Sequence, residues 1–431
     1  MEVSLAFHMI FAALGIGLPV LMLIAEALWL RTGRQHYRAL ARKWAKATAL
    51  TFAVGAVSGT ALSFELGLLW PRFMAFAGGA IGSAFALEAY AFFIEAIFLG
   101  LYLYGWDRLS PRAHWLTGWP VALAGLASGV LVVAANAWMQ TPGGFTAEAG
   151  RLVDIDPLAP FKSPAWLHMS LHSSLSCYIA TGFAVAGVYA VGMLRGRHDV
   201  YHRSGLAIAL AVGTTTAVVQ PISGDLSARR VAEHQPAKLA AMEALFETEA
   251  GAPLLVGGIP DIEERTVRYA LRIPYGLSLL VGHDPGTVVR GLDAVPRDEW
   301  PNVMITHLAF QLMVACGFAL IGVGLWYWIR RWRGTGPEPR LLLRALAVAS
   351  PLGFVALEAG WLVTEVGRQP WVIYEVMRTA DGVTPVADVP ATLFGFTVVY
   401  LSLGAALVFL LRKLAPGARD REAWDQAELQ A

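Results

Sequence analysis

Nine apolar stretches, each around 20 residues or more, constrain this chain of 431 residues more than any other feature: about 5–30, 47–69, 84–105, 117–138, 166–193, 205–222, 303–329, 343–363 and 391–411. A run of that length crosses the hydrocarbon core of a bilayer as an α-helix. Composition agrees, with 56% hydrophobic and 15% charged residues, where a soluble domain has about half and a quarter. The expected fold is an all-α integral membrane protein, a nine-helix transmembrane bundle. The first run begins at the initiator Met without a basic segment before it or a small-residue cleavage site behind it, so it reads as a retained helix and not a signal peptide.

Charge orients the bundle. The loops 31–46, 106–116, 194–204 and 330–344 and the tail from Arg412 carry six, two, three, five and four Lys/Arg, while the short loops between them hold five in all. Basic loops stay in the cytoplasm, which places the N-terminus outside and the C-terminus in the cytoplasm. Trp70, Trp138, Trp166, Trp300 and Trp371 fall at the outer ends, where an aromatic belt is expected. The long connection breaks the pattern of short ones. The organisation expected is helices 1–6 over 1–222, an external loop over 223–302 between helices 6 and 7, helices 7–9 over 303–412, and a cytoplasmic tail over 413–431. In the loop, AKLAAMEALFE has helical apolar spacing and GGIP marks a turn, so it reads as ordered. A net charge of +1 argues against nucleic acid as a partner, and Cys177 and Cys316, both in apolar runs, imply neither a disulfide nor covalent haem.

Against this apolar background the polar side chains stand out. The stretch EAGWLVTEVGRQPW, Glu358 to Trp371, puts Glu358 and Glu365 two helical turns apart on one side, with Arg368 in reach of Glu365 and Pro370 ending the helix. A carboxylate inside the hydrocarbon needs a partner, which for Glu358 is a cation, a proton or a metal. Glu88 and Glu95 share one face of span 3. His8 begins span 1, His168 and His172 begin span 5, and His307 and Met313 begin span 7. The candidate ligands mostly collect in the outer half of the membrane, the arrangement by which facing helices hold iron porphyrins at their axial positions. Each also has a plainer use: His8 as a hydrogen-bonding group, Met313 as core filler, His168 with His172 and glutamates as a zinc or di-metal centre, Glu88 and Glu95 as stepping stones of a proton-coupled carrier.

Several motifs carry a resemblance. Phe7-His8, AFFIEAIFLGLYLYGWDR (Ala91 to Arg108), NAWMQTP (Asn136 to Pro142), KLAAMEALFET with GIPD, IPYGL (Ile273 to Leu277) and GWLVTEVGRQPW occur in order along nearly the whole chain, and together they resemble subunit I of the cytochrome bd quinol oxidases. The resemblance implies a quinol:oxygen oxidoreductase that oxidises quinol at the outer face and reduces oxygen to water with cytoplasmic protons, building a proton gradient without pumping. His172 and Met313 would be the axial pair of a low-spin haem b. His8 and Glu358 would ligate a high-spin haem b and a haem d (or a third haem b), with Trp361, Glu365 and Arg368 as supporting neighbours. Glu88 and Glu95 would be the proton route, and Gln235, Lys238 and Glu243 the quinol site. Gln311 stands two before Met313, where well-known members carry Arg. A second membrane subunit, and a small accessory one, are the implied partners. A di-haem quinol oxidoreductase with another acceptor, or a proton-coupled transporter, are the competing readings.

Overall fold

A computed structural model of the chain describes residues 2–148, 151–384 and 389–414. Among them, nine helical segments are long and apolar enough to cross a membrane. They are α1 (Glu2–Thr32), α2 (Gln35–Leu69), α3 (Pro71–Gly105), α4 (Pro111–Gln140), α5 (Trp166–Leu194), α6 (Val200–His234), then, after a short α7 (Pro236–Glu243), α8 (Val303–Trp332), the pair α9 (Arg340–Ala349) and α10 (Leu352–Val366), and α11 (Val389–Arg412). The expected tail over 413–431 lies outside the described residues from 415 onward.

Several helices begin where a side chain can hold an otherwise free backbone N–H. Ser110 accepts from the Ala113 amide at 3.4 Å, Asp199 from His202 at 2.9 Å and Asn302 from Ile305 at 3.0 Å. The eighth span is not one helix. Pro351 lacks a backbone donor, so the helical hydrogen bonding is interrupted there and the span divides between α9 and α10, although Ser350 and Pro351 both keep helical backbone angles.

Three helices outrun their apolar stretches, α3 among them, which starts at Pro71, thirteen residues before the stretch expected for it. α2 starts at Gln35, inside the expected basic loop, and α6 continues to His234, twelve residues into the expected external loop. Hydropathy falls in both places, but at the end of α6 charged residues pair along the helix, Asp225 with Arg229 and Arg230 with Glu233 at 2.9 Å, and at the start of α2 Arg38 and Arg42 reach Asp107. The long connection proper therefore starts at Gln235. It is ordered by α7 and three antiparallel strand pairs, Glu249–Ala250 with Val288–Val289, Leu254–Val256 with Leu271–Ile273, and Ile259–Asp261 with Thr266–Arg268. One expectation fails at the belt: Trp138 is fully buried and donates to the Gly143 carbonyl at 2.9 Å. It belongs to a buried cluster with Phe73, Ala77 and Ile373, and its ring lies edge-on to Phe145 at 5.8 Å.

Consecutive helices pack as pairs, α1 with α2, α3 with α4 and α5 with α6, and α10 packs on α8. Close approach is bought by glycine at the α5–α6 crossing, where a Cβ on Gly182 would fall 2.6 Å from Gly213 Cα. In lipid such packing, more than hydrophobic burial, holds helices together. The halves of the bundle differ. On the side of the basic loops, residues such as Leu21, Met22, Leu40, Phe183, Leu206, Leu320 and Leu343 form one solid core. On the side of the long loop the same helices enclose a cavity.

Candidate functional site

The cavity has a volume of about 1660 Å³, above the roughly 300–1,000 Å³ of an ordinary ligand pocket. Eleven of the twelve residues to which the resemblance gives a role line it: His8, Glu88, Glu95, His172, Gln235, Lys238, Glu243, Met313, Trp361, Glu365 and Arg368; His168 and Gln311 line it too, and His307 does not. Glu358 does not, but it sits between the lining residues Leu357 and Gly360, and its Oε1 is buried without a hydrogen-bond partner.

The two histidines at the ends of α1 and α5 are oriented alike. Ser58 Oγ lies within donor distance of the carbonyls of Val54 (3.0 Å) and Gly55 (3.1 Å), so it accepts from His8 Nδ1 at 2.9 Å. Ser223 Oγ donates to the Gln220 carbonyl at 2.9 Å and accepts from His172 Nδ1, also at 2.9 Å. A proton fixed on Nδ1 leaves the Nε2 lone pair for a ligand, the usual outer-shell arrangement of an iron- or zinc-bound imidazole. The Gln220 amide now donates to His172 Nε2 at 3.1 Å. His168, one turn away, pairs through Nδ1 with Ser227 at 3.1 Å. A glycine faces three of the four candidate ligands: a Cβ on Gly59 would reach 3.0 Å from His8 Cε1, on Gly224 3.6 Å from His172 Cε1, and on Gly360 3.0 Å from Met313 Sδ. Among the described residues no three His, Cys, Asp or Glu side chains converge as a bare metal ion would need, so His168 and His172 lack the third ligand that a zinc or di-metal reading requires.

The Glu365–Arg368 contact expected from their spacing is present at 2.6 Å, and it belongs to a longer chain of contacts. Asn136 donates to Glu365 Oε1 at 2.7 Å, Gln140 donates to Asn136 Oδ1 at 3.1 Å, and Lys238 Nζ donates to Gln140 Oε1. Gln235 donates to the Gln140 carbonyl at 3.1 Å. Three sequence motifs thus meet in one buried network joining α10, α4 and α7. Asn136 and Gln140 were overlooked as site residues, although NAWMQTP contains both. Arg368 is 1% exposed, yet its Nε and Nη1 have no partner, nor does Trp361 Nε1.

Lys238 and Glu243 are 4% and 2% exposed, so α7 turns both side chains into the protein and not to solvent. Burial, helped by the nearby Arg368 charge and opposed by Glu365, holds the Lys238 ammonium well below its ordinary range. Burial alone pushes the Glu243 carboxyl up to about 8, and its Oε2 is unpartnered. Gln311 clamps the loop onto α8, accepting from the Gly257 amide at 2.9 Å and donating to the Leu255 carbonyl at 3.0 Å. Gln311→Ala is expected to free residues 254–257, read as faster limited proteolysis within the loop while helix content is unchanged.

On the other wall, Ser128 donates to Glu88 at 2.9 Å, whereas Glu95, 4% exposed, leaves Oε1 without a partner. The family model for cytochrome bd terminal oxidase subunit I matches residues 1–418. The chain belongs to that family. The cytochrome bd subunit I fold is also that of the bd oxidase of Geobacillus thermodenitrificans, which matches with a TM-score of 0.91 and 40% identity over 96% of each chain. A putative cytochrome bd menaquinol oxidase subunit I of Bacillus subtilis is 39% identical over 95% of this chain and 93% of its own, and a cytochrome bd ubiquinol oxidase subunit 1 of the same organism 32% identical over 96% and 91%. Membership makes the protein the first subunit of a bacterial respiratory quinol oxidase, a multi-span membrane oxidoreductase. It also implies haem cofactors and a partner subunit.

Proposed function

We propose that the loop-side cavity of this cytochrome bd subunit I holds three haems and that quinol is oxidised beside α7. The observation that carries the reading is the shared cavity: His8, His172 and Met313 line the same space as Lys238 and Glu243. The donor set suits haem, since imidazoles present Nε2, the Met313 thioether is seated against Gly360, Glu358 has a free buried oxygen, and Arg368 and Trp361 keep buried donors suited to propionates. His172 and Met313 would hold a low-spin haem b, and His8 and Glu358 a high-spin haem b and a haem d or third haem b. Bound there, the haems supply one-electron transfer and oxygen reduction.

The protein's own groups handle protons and positioning. Burial drives Lys238 and Glu243 toward uncharged forms, which suits a neutral quinol, and Gln140 and Gln235 keep the lysine in place. A neutral amine or a carboxylate can each take a quinol proton. Those protons leave on the outside, while Glu95 and Glu88 carry cytoplasmic protons inward for oxygen reduction, so charge separates without pumping. Subunit II and a small accessory subunit complete the enzyme.

Two outcomes test the quinol site. Lys238→Ala or Glu243→Ala raises KM for quinol or slows its oxidation, with haem spectra as in the wild type and oxygen consumption from an artificial one-electron donor retained; a variant slow in both assays, or in neither, puts quinol elsewhere. Glu243 is a base only when ionised, so kcat/KM for quinol rises as pH passes about 8. Glu243→Gln removes that limb of the profile.

A further inference from the structure

The solid half of the bundle contains a cluster of buried titratable groups that the mechanism above leaves unused. Glu26 of α1, Tyr102 of α3 and His114 of α4 are 0%, 0% and 2% exposed. His114 Nδ1 lies 2.6 Å from Glu26 Oε1, Tyr102 donates its hydroxyl to Glu26 Oε2, and His114 Nε2 lies 2.8 Å from the Tyr102 carbonyl. The partners determine where the protons are. A carbonyl oxygen only accepts, so Nε2 carries a hydrogen. Nδ1 and Oε1 must then share one more, as glutamic acid with imidazole or as glutamate with imidazolium. Either way the pair is neutral overall; removing that proton would set a lone pair against a buried carboxylate. The cluster therefore stores one proton that can sit on either of two atoms.

Its placement continues the glutamate row. Tyr102 is seven residues beyond Glu95, and Glu95 seven beyond Glu88, so all three share a face of α3 at steps of about 10 Å. Across the seam α4 makes room at each step. A Cβ on Gly118 would come within 3.0 Å of the Tyr102 ring and one on Gly125 within 3.3 Å of Glu95 Oε2, while Ser128 binds Glu88. Between those glycines Ala122 follows at helical spacing on α4, opposite an interval of α3 that contains the buried Leu99, and Leu23 of α1 would lie 2.8 Å from a Cβ on Gly118. Trp106 closes the opposite end, 4.0 Å from the His114 ring, under the guanidinium groups of Arg42 (4.9 Å) and Arg38 (5.8 Å), both paired to Asp107 at 3.1 and 3.4 Å.

We propose that Glu26, Tyr102 and His114 form a proton-loading station at the basic-side mouth of the α3–α4 seam, feeding Glu95; this rests on the reading of Glu95 and Glu88 as the proton route. Tyr102 passes its hydroxyl proton into water along the seam and takes one from Glu26. Glu26 regains a proton from His114 Nδ1, and the imidazole is reprotonated from the basic-side solution past Trp106. One proton crosses the station, and nothing is oxidised or reduced.

The test is proton uptake by the assembled oxidase, followed with a pH-indicator dye as the fully reduced enzyme is mixed with oxygen. Tyr102→Phe and Glu26→Gln are expected to slow uptake on the order of 10²-fold, with haem spectra and quinol KM unchanged. Wild-type uptake in a spectrally normal Tyr102→Phe enzyme overturns the proposal. Should those variants fail to assemble, Ala122→Leu, which fills the seam without touching the station, must slow uptake in the same way, and wild-type uptake there is equally fatal. Glu95→Gln separates the two readings: slow uptake in it with normal uptake in Tyr102→Phe removes only the station, whereas normal uptake in Glu95→Gln removes the glutamate route itself.

Discussion

Replacing His172 by alanine is expected to abolish the low-spin haem band and reduce quinol-driven oxygen consumption to background, whereas His168→Ala leaves both. The two residues are one turn apart, and sequence spacing does not separate them. Their hydrogen bonds point to His172. Its Nδ1 proton is committed to Ser223, whose own hydroxyl is committed to the Gln220 carbonyl, so Nε2, which accepts from the Gln220 amide at 3.1 Å, is the ring atom left to exchange that contact for a ligand in the cavity that Met313 of α8 also lines. His172 and Met313 would hold the low-spin haem together, and with the imidazole removed Met313 would be left as its one protein donor. A reduced-minus-oxidised spectrum of each detergent-purified variant decides the matter. Loss of the band in His168→Ala and its survival in His172→Ala would move the ligand one turn toward the loop.

The second large effect separates the two glutamates of α10. Glu358→Gln is expected to alter the high-spin haem spectrum and suppress oxygen consumption while the thermal midpoint changes little. Its Oε1 is buried with no protein partner to lose. Glu365→Gln should do the reverse. Glu365 is bound by Arg368 at 2.6 Å and by Asn136 at 2.7 Å, and Arg368 is 1% exposed. Neutralising the carboxylate leaves that guanidinium without its counter-charge, a loss on the order of 3 kcal/mol for a buried pair, so the thermal midpoint drops while the high-spin spectrum is retained. Identical high-spin spectra in wild type and Glu358→Gln would dismiss Glu358 as a ligand.

What the sequence determined by itself is local. Nine spans follow from hydropathy, the Glu365–Arg368 contact from a three-residue step, and the shared face of Glu88 and Glu95 from the helical period. The same local signals misplace ends: falling hydropathy hides the start of α2 and the last turns of α6, whose charged residues pair along the helix, and a tryptophan at a span end reads as belt when Trp138 is core. Only tertiary structure decided which groups meet. Asn136 reaches Glu365 across 229 residues, Lys238 reaches Gln140 across 98, and Glu26 finds His114 across 88. It also decided that one half of the bundle packs solid while the other encloses the cavity. Apolar patterning settles that a helix enters lipid, but lipid is as apolar as leucine, so it does not say which faces turn inward; that choice falls to close packing at glycine and to buried hydrogen bonds between residues far apart in the chain.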